Sequence, residues 1–121
     1  MKTASANIQN YIVRNNQTEW QPLIEKGINY AGIFVISLHY NEEKQRSTTI
    51  LLKFEPGATY PYHNHPAGEE IYVLEGEAIL ENVVLAKGDY LYTPANFKHS
   101  VTSKLGCIML FVIPEEVEIL V

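Results

Sequence analysis

An all-β fold is predicted for this chain by three observations. From about Ile28 onward, short runs of β-branched, aromatic and aliphatic residues are punctuated by turn residues. No segment carries a helical period of useful length, and one run, Cys107 to Ile113, is apolar without interruption.

Taken in order, the elements follow from local chemistry. Residues 1–18 are polar, rich in Asn and Gln and without a clear period, so they are expected to form a flexible arm or one that crosses to a second copy; residues 19–121 make one domain. Phe34 to Tyr40 and Thr48 to Phe54 are strand-prone and flank Asn41-Glu42-Glu43-Lys44-Gln45-Arg46, a solvated hairpin loop. Pro56-Gly57 makes a turn. Ile71 to Leu74 and Ala78 to Leu80 are strands about a Glu75-Gly76-Glu77 corner, with Glu75 and Glu77 solvated. Val83 to Leu85 pairs back through a turn at Glu81-Asn82, and Lys87-Gly88-Asp89 turns the chain into Tyr90 to Thr93, which ends at Pro94. Because Cys107 to Ile113 lacks alternation, it is expected to be covered on both faces. Val117 to Val121 is apolar and strand-prone, an edge that needs a partner. A homodimer, joined by this tail or by the N-terminal arm, would supply one.

At 121 residues, 46% hydrophobic and 19% charged, the chain suits a single globular domain with a real core. A net charge of -5 and a pI near 5.3, without a cluster of Lys and Arg, exclude binding to a phosphate backbone as the expected activity. MKTASANIQN has no apolar signal core and no run is long enough to cross a bilayer, so the expectation is a cytoplasmic protein with no membrane partner. Cys107 is the single cysteine, a buried structural thiol within its apolar run, so no internal disulfide can form.

Against this background one pattern carries chemistry: Gly57-x5-His63-x-His65-x3-Glu69-x6-Gly76. Side chains alternate along a strand, so His63 and His65 share a face, and the short turn that follows can bring Glu69 beside them. Glu70, by the same alternation, faces away. A second segment, Gly88-x5-Pro94-x-Asn96-x2-His99, supplies another histidine on the next strand. His39, with no carboxylate or second histidine near it in sequence, reads as an ordinary surface or core group. Tyr60, Tyr62, Tyr72, Tyr90 and Tyr92 read as barrel wall, with one or two of them free to line a pocket.

The two segments resemble the paired motifs of the cupin superfamily, RmlC-like proteins whose small β-barrels hold a metal with three histidines and one glutamate. The resemblance runs from about Trp20 to Gly106. PGATYPYHNH, GEEIYVLEGE and Gly106-Cys107 are most similar to the subgroup that includes the zinc-binding domain of the ChrR anti-sigma factor and several small diketone and aryl-ketone dioxygenases. It implies a double-stranded β-helix, or jelly-roll, with His63, His65, Glu69 and His99 as metal ligands. Asn96 stands where a glycine is usual, and Ser103 where an asparagine is usual. Asn tolerates a left-handed backbone, so the turn at Asn96 is expected to survive.

Three neutral imidazoles and a carboxylate leave a divalent ion with a formal charge of about +1 and, for iron or manganese, two open positions for water, O₂ or a bidentate substrate. Zinc would close the site and make it structural or sensory, and nickel is a further candidate. The resemblance therefore implies a metal-dependent dioxygenase acting on a small oxygenated molecule, or a non-catalytic metal- or ligand-sensing domain similar to that of ChrR. A cupin that binds a sugar or other small ligand over a structural metal is a third possibility. No catalytic residue beyond the ligands is assigned.

Overall fold

The computed structural model describes residues 6–120. Ten strands follow one another: β1 (Gln21–Glu25), β2 (Ile28–Asn41), β3 (Arg46–Phe54), β4 (Thr59–His65), β5 (Glu69–Leu80), β6 (Val83–Ala86), β7 (Tyr90–Thr93), β8 (Phe97–Thr102), β9 (Cys107–Val112) and β10 (Glu118–Ile119). All their pairings are antiparallel, in the order β1-β2-β3-β9-β5-β8-β4-β10, with β6 and β7 also on β5. The sheet curls on itself, a cupin-like half-barrel in keeping with a double-stranded β-helix, and Ile33, Phe54, Ile71, Val73 and Met109 fill the space between its two layers. No helix among the described residues is long and apolar enough to cross a membrane.

The curl depends on β5, which serves both layers. Its first half pairs with β7 and β9, its second half with β6 and, at Ile79, with β8. Buried positions fall on Glu69, Ile71 and Val73, then change phase to Ala78 and Leu80. The change of phase accompanies a register shift between Val73 and Glu75 and a left-handed Gly76, φ 74. A Cβ on Gly76 would collide with the Gly106 carbonyl oxygen, so only glycine allows the two chain segments to approach this closely. The expected corner is present, but inside one continuous strand rather than between two.

Other boundaries differ from expectation for physical reasons. β1 was not anticipated because Pro22 interrupts its pattern, yet β1 is an edge strand, where a residue without an N–H is tolerated. β2 begins at Ile28 and is longer than its apolar segment. Glu81 and Asn82 both take positive φ, 50 and 67, and join β5 to β6 by a tight hairpin. The run at β9 is covered fully on one face only: Cys107, Met109, Phe111 and Ile113 are buried, whereas Ile108, Leu110 and Val112 are partly exposed. That corrects the expectation of two covered faces.

The described part of the arm is not featureless. It holds two exposed 3₁₀ turns, Ile8–Tyr11 and Asn15–Gln17, the first capped by Asn7 Oδ1 accepting from Gln9 N at 3.0 Å; residues 1–5 lie outside the description. The C-terminal tail finds its edge partner within its own chain, where Glu118 and Ile119 pair with Asn64 and His63 of β4. Val121 lies outside the described residues.

Candidate metal centre

Neighbouring strands β4 and β8 place His63 directly across from His99 and His65 across from Phe97. The chain then turns through residues 66–68 into β5, whose first residue is Glu69. Gly68 makes that turn possible: its φ is 79, and an added Cβ would lie 2.6 Å from Thr93 O. In the second segment Asn96 does take a left-handed backbone, φ 67, and its N–H donates to His65 O at 2.7 Å, tying the two motifs together. Ser103 is fully buried, with Oγ donating to Glu77 O at 2.6 Å, and so pins the corner of β5 from below.

The three imidazoles form a compact buried cluster. Ring centroids are 4.5 Å apart for His63 and His65, 5.0 Å for His63 and His99, and 4.4 Å for His65 and His99. One ring nitrogen from each lies within 4.8 Å of the other two, a set able to coordinate a divalent metal ion. The outer nitrogens of two of them are already engaged: His63 Nδ1 lies 2.7 Å from Pro61 O, and His65 Nδ1 lies 2.8 Å from Phe97 O. A carbonyl can only accept, so each Nδ1 carries the proton and each Nε2 is left with a lone pair, the arrangement of a metal-ligating histidine.

Glu69 completes a donor set. It is 3% exposed, and its Oε1 stands 3.1 Å from His65 Nε2 and 3.5 Å from His99 Nε2. Neither approach has hydrogen-bond geometry: His65 Nε2, His99 Nε2 and Glu69 Oε1 are all buried without a hydrogen-bond partner. Lone pairs facing one another at such distances repel unless a cation lies among them. The donor set therefore fits a divalent ion. Burial, the largest influence, favours neutral His65, but contact with Glu69 and the Phe97 carbonyl outweighs it and lifts its pKa above the usual 6.5. Burial likewise works against ionised Glu69, yet the contacts with His65 and His99 hold its pKa below the ordinary value. For His63 burial, the largest influence, outweighs the Pro61 carbonyl and Glu69 and lowers its pKa to about 4.

Glu70 is exposed and accepts from Tyr90 Oη at 2.6 Å, so the assignment of Glu69 over Glu70 agrees with the geometry. His39 is exposed and away from the cluster, as expected, and Cys107 is a buried thiol whose pKa burial raises. Of the tyrosines, Tyr62, Tyr72, Tyr90 and Tyr92 face solvent rather than the interior. Tyr60 alone among those five turns inward. A register shift between Tyr60 and His63 inserts one extra residue, so two positions three apart in sequence share a face. Its ring meets His63 edge-on at 4.8 Å, and its hydroxyl donates to Glu25 Oε1 at 2.5 Å. Pro61, a residue that strands tolerate only at edges and bulges, was the available signal.

Beside the cluster lies a cavity of about 470 Å³, a size suited to a small molecule. Its wall is mixed: Leu23, Val35, Ile50, Leu52, Phe111 and Val117 supply apolar surface, Tyr60, His63 and Glu69 belong to the cluster's side, and Glu25, Lys26, Arg46 and Glu116 also line it. Sequence reasoning also missed Glu25, Arg46 and Thr93. The first two line the cavity from β1 and β3, and Thr93 lies buried opposite Glu69 in the β5–β7 pairing.

The profile of the ChrR Cupin-like domain family matches residues 8–117. Among solved structures, an acetylacetone dioxygenase from Acinetobacter johnsonii superposes with a TM-score of 0.77 at 13% identity, covering 100% of this chain and 81% of that one. An RmlC-like cupin from Shewanella frigidimarina gives 0.66 at 26% identity, covering 86% of this chain and 90% of its own. In sequence, 64 residues, 48% of this chain, are 31% identical to the DNA damage-repair/toleration protein DRT102 of Arabidopsis thaliana, of which the match spans only 21%. With a family match over almost its full length and the cupin fold beneath it, the chain belongs to the ChrR Cupin-like domain family.

Proposed function

We propose that the protein is a non-haem metal-dependent dioxygenase acting on a small oxygenated organic molecule. The observation that carries this reading is the convergence of His65 Nε2, His99 Nε2 and Glu69 Oε1, buried and unpaired, beside a cavity large enough for a substrate. His63, His65, His99 and Glu69 would hold the ion. An iron or manganese ion bound there would supply the redox step and a Lewis-acid contact to a substrate oxygen. The chain's own residues do the rest. The Pro61 and Phe97 carbonyls keep two imidazoles in the ligating tautomer. Glu69 balances part of the ion's charge, and the apolar wall excludes water from the substrate's body.

Purification without added metal, followed by elemental analysis, is the first test. Iron or manganese at one per chain, with O₂ uptake when acetylacetone is supplied as a probe, fits the proposal. Stoichiometric zinc with no oxygen uptake would favour the sensory reading instead. His99→Ala should abolish uptake while leaving the fold intact.

We further read the protein as a homodimer. The outer face of one layer carries a row of partly or fully exposed apolar residues in direct register, Leu51, Leu110, Tyr72 and Tyr90, that a second copy would cover. Light scattering at micromolar concentration tests this.

A further inference from the structure

The charged groups that line the cavity are not equivalent. Glu25 is engaged by the Tyr60 hydroxyl, Glu69 belongs to the cluster, and Lys26 pairs with Glu116 at 3.5 Å on the exposed rim. Arg46 differs from all of these. Read from sequence as part of a solvated loop, it is instead the first residue of β3 and shares the inward face of that strand with Thr48, Ile50, Leu52 and Phe54. Its side chain is partly buried and lines the cavity, with Nη1 donating to Ile113 O at 2.6 Å. No carboxylate among the described residues forms an ion pair with it; nearby Glu115 is held by Lys44 at 2.7 Å. A guanidinium has five N–H donors in a planar fork, and among the described residues Ile113 O is the one acceptor it engages.

The strand registers place Arg46 on the layer facing the metal cluster. Arg46 belongs to the β2–β3–β9 wall, where Ile113 N donates to Thr48 O at 2.7 Å; His63 and His99 belong to the β4–β8 wall opposite. The apolar side chains of Ile50, Leu52 and Phe111 line the same cavity. A ligand filling this space meets a cationic fork, hydrocarbon and the cluster.

We propose that Arg46 is the specificity-determining residue of this pocket and that the ligand is a small organic acid, its carboxylate on Arg46, its apolar body against Ile50, Leu52 and Phe111, and a second oxygen function turned to the cluster. Only the last part rests on the metal-site reading above. The bidentate match between guanidinium and carboxylate gives the selection its direction: an apolar molecule of equal length without the acid leaves the fork unpaired.

The test separates the two readings. Calorimetry on the full chain, stripped of metal by chelator, compares hexanoate with hexan-1-ol. Hexanoate is expected to bind about tenfold or more tightly than the alcohol, the worth of one charge-assisted contact. Arg46→Gln should remove that advantage, weakening hexanoate about tenfold and leaving hexan-1-ol within about twofold, with Arg46→Lys between. Equal binding of the two probes by the wild type, no binding of either, or equal weakening of both by Arg46→Gln overturns the proposal. Should Arg46→Gln fail to fold, the wild-type comparison decides alone. Titration of the same stripped protein with Zn²⁺ reports separately on the cluster. If zinc does not bind but hexanoate does, the metal reading fails and Arg46 stands; if zinc binds and hexanoate does not, only the Arg46 proposal fails.

Discussion

The two ends of the barrel follow opposite rules. At one end, where Gly57, Gly76, Ser103 and Gly106 meet, the buried Ser103 is paired: its O accepts from Gly57 N at 2.7 Å, and its Oγ donates to Glu77 O at 2.6 Å. At the other, Asn64 Oδ1, His65 Nε2, Glu69 Oε1, Thr93 Oγ1 and His99 Nε2 are buried with no hydrogen-bond partner. All the buried unpaired side-chain atoms found among the described residues fall there. Such groups destabilise a fold unless something satisfies them, so one end is built for stability and the other for a ligand.

Substitutions at each end should separate those roles. Gly76→Ala should have the largest effect on the fold, about 3 kcal/mol or more, because a Cβ meets the Gly106 carbonyl at a left-handed backbone position. Chemical denaturation reads it directly, and metal affinity should change only as far as the protein unfolds. His65→Ala or His99→Ala should do the reverse. Metal affinity should drop about a hundredfold or more, while the metal-free protein loses less stability than with Gly76→Ala, since removing an unpaired buried nitrogen offsets part of the lost packing. If the metal-free protein instead collapses, the contrast between the ends is wrong.

Acid sharpens the comparison. His63 titrates near 6.5 when unfolded and about 4 when folded, so between those values the unfolded chain binds more protons. Its contribution to stability is complete above pH 6.5 and is lost as pH falls towards 4. His65, with a raised pKa, acts in the opposite sense: its contribution is present below 6.5 and is lost as pH rises through its folded value. Melting curves of the metal-free wild type and His63→Gln from pH 7 to 4 isolate the first effect, and the wild type should lose more stability over that window. The smallest effect is expected at Asn96. Asn96→Gly relieves the left-handed backbone but gives up a 3.4 Å contact with Asn64, and stability should stay within about 0.5 kcal/mol of wild type.

Much of the metal end was legible in the sequence because its signals are local. His63 and His65 are two apart on one strand, the turn to Glu69 is short, and alternation alone sends Glu70 outward. Tyr60 was not legible to the same degree: a bulge at Pro61-Tyr62 reverses the strand's faces, and bulges follow from pairing with β8 rather than from composition. β1 was lost to Pro22, tolerated only because nothing pairs on its far side. Arg46 looked like loop because its neighbours before it are polar and charged, and only the β2–β3 register carries it inside.

By itself, then, the order of residues determined an all-β chain, most of its turns, and a strand bearing two histidines on one face with a carboxylate to follow. Those features depend on dihedral preferences and a two-residue period, which act over a few neighbours. Tertiary structure decided which strands became partners, how one long strand bends to serve both layers, and which charged groups look into the cavity. These depend on contacts between segments far apart in the chain, and no local pattern encodes them.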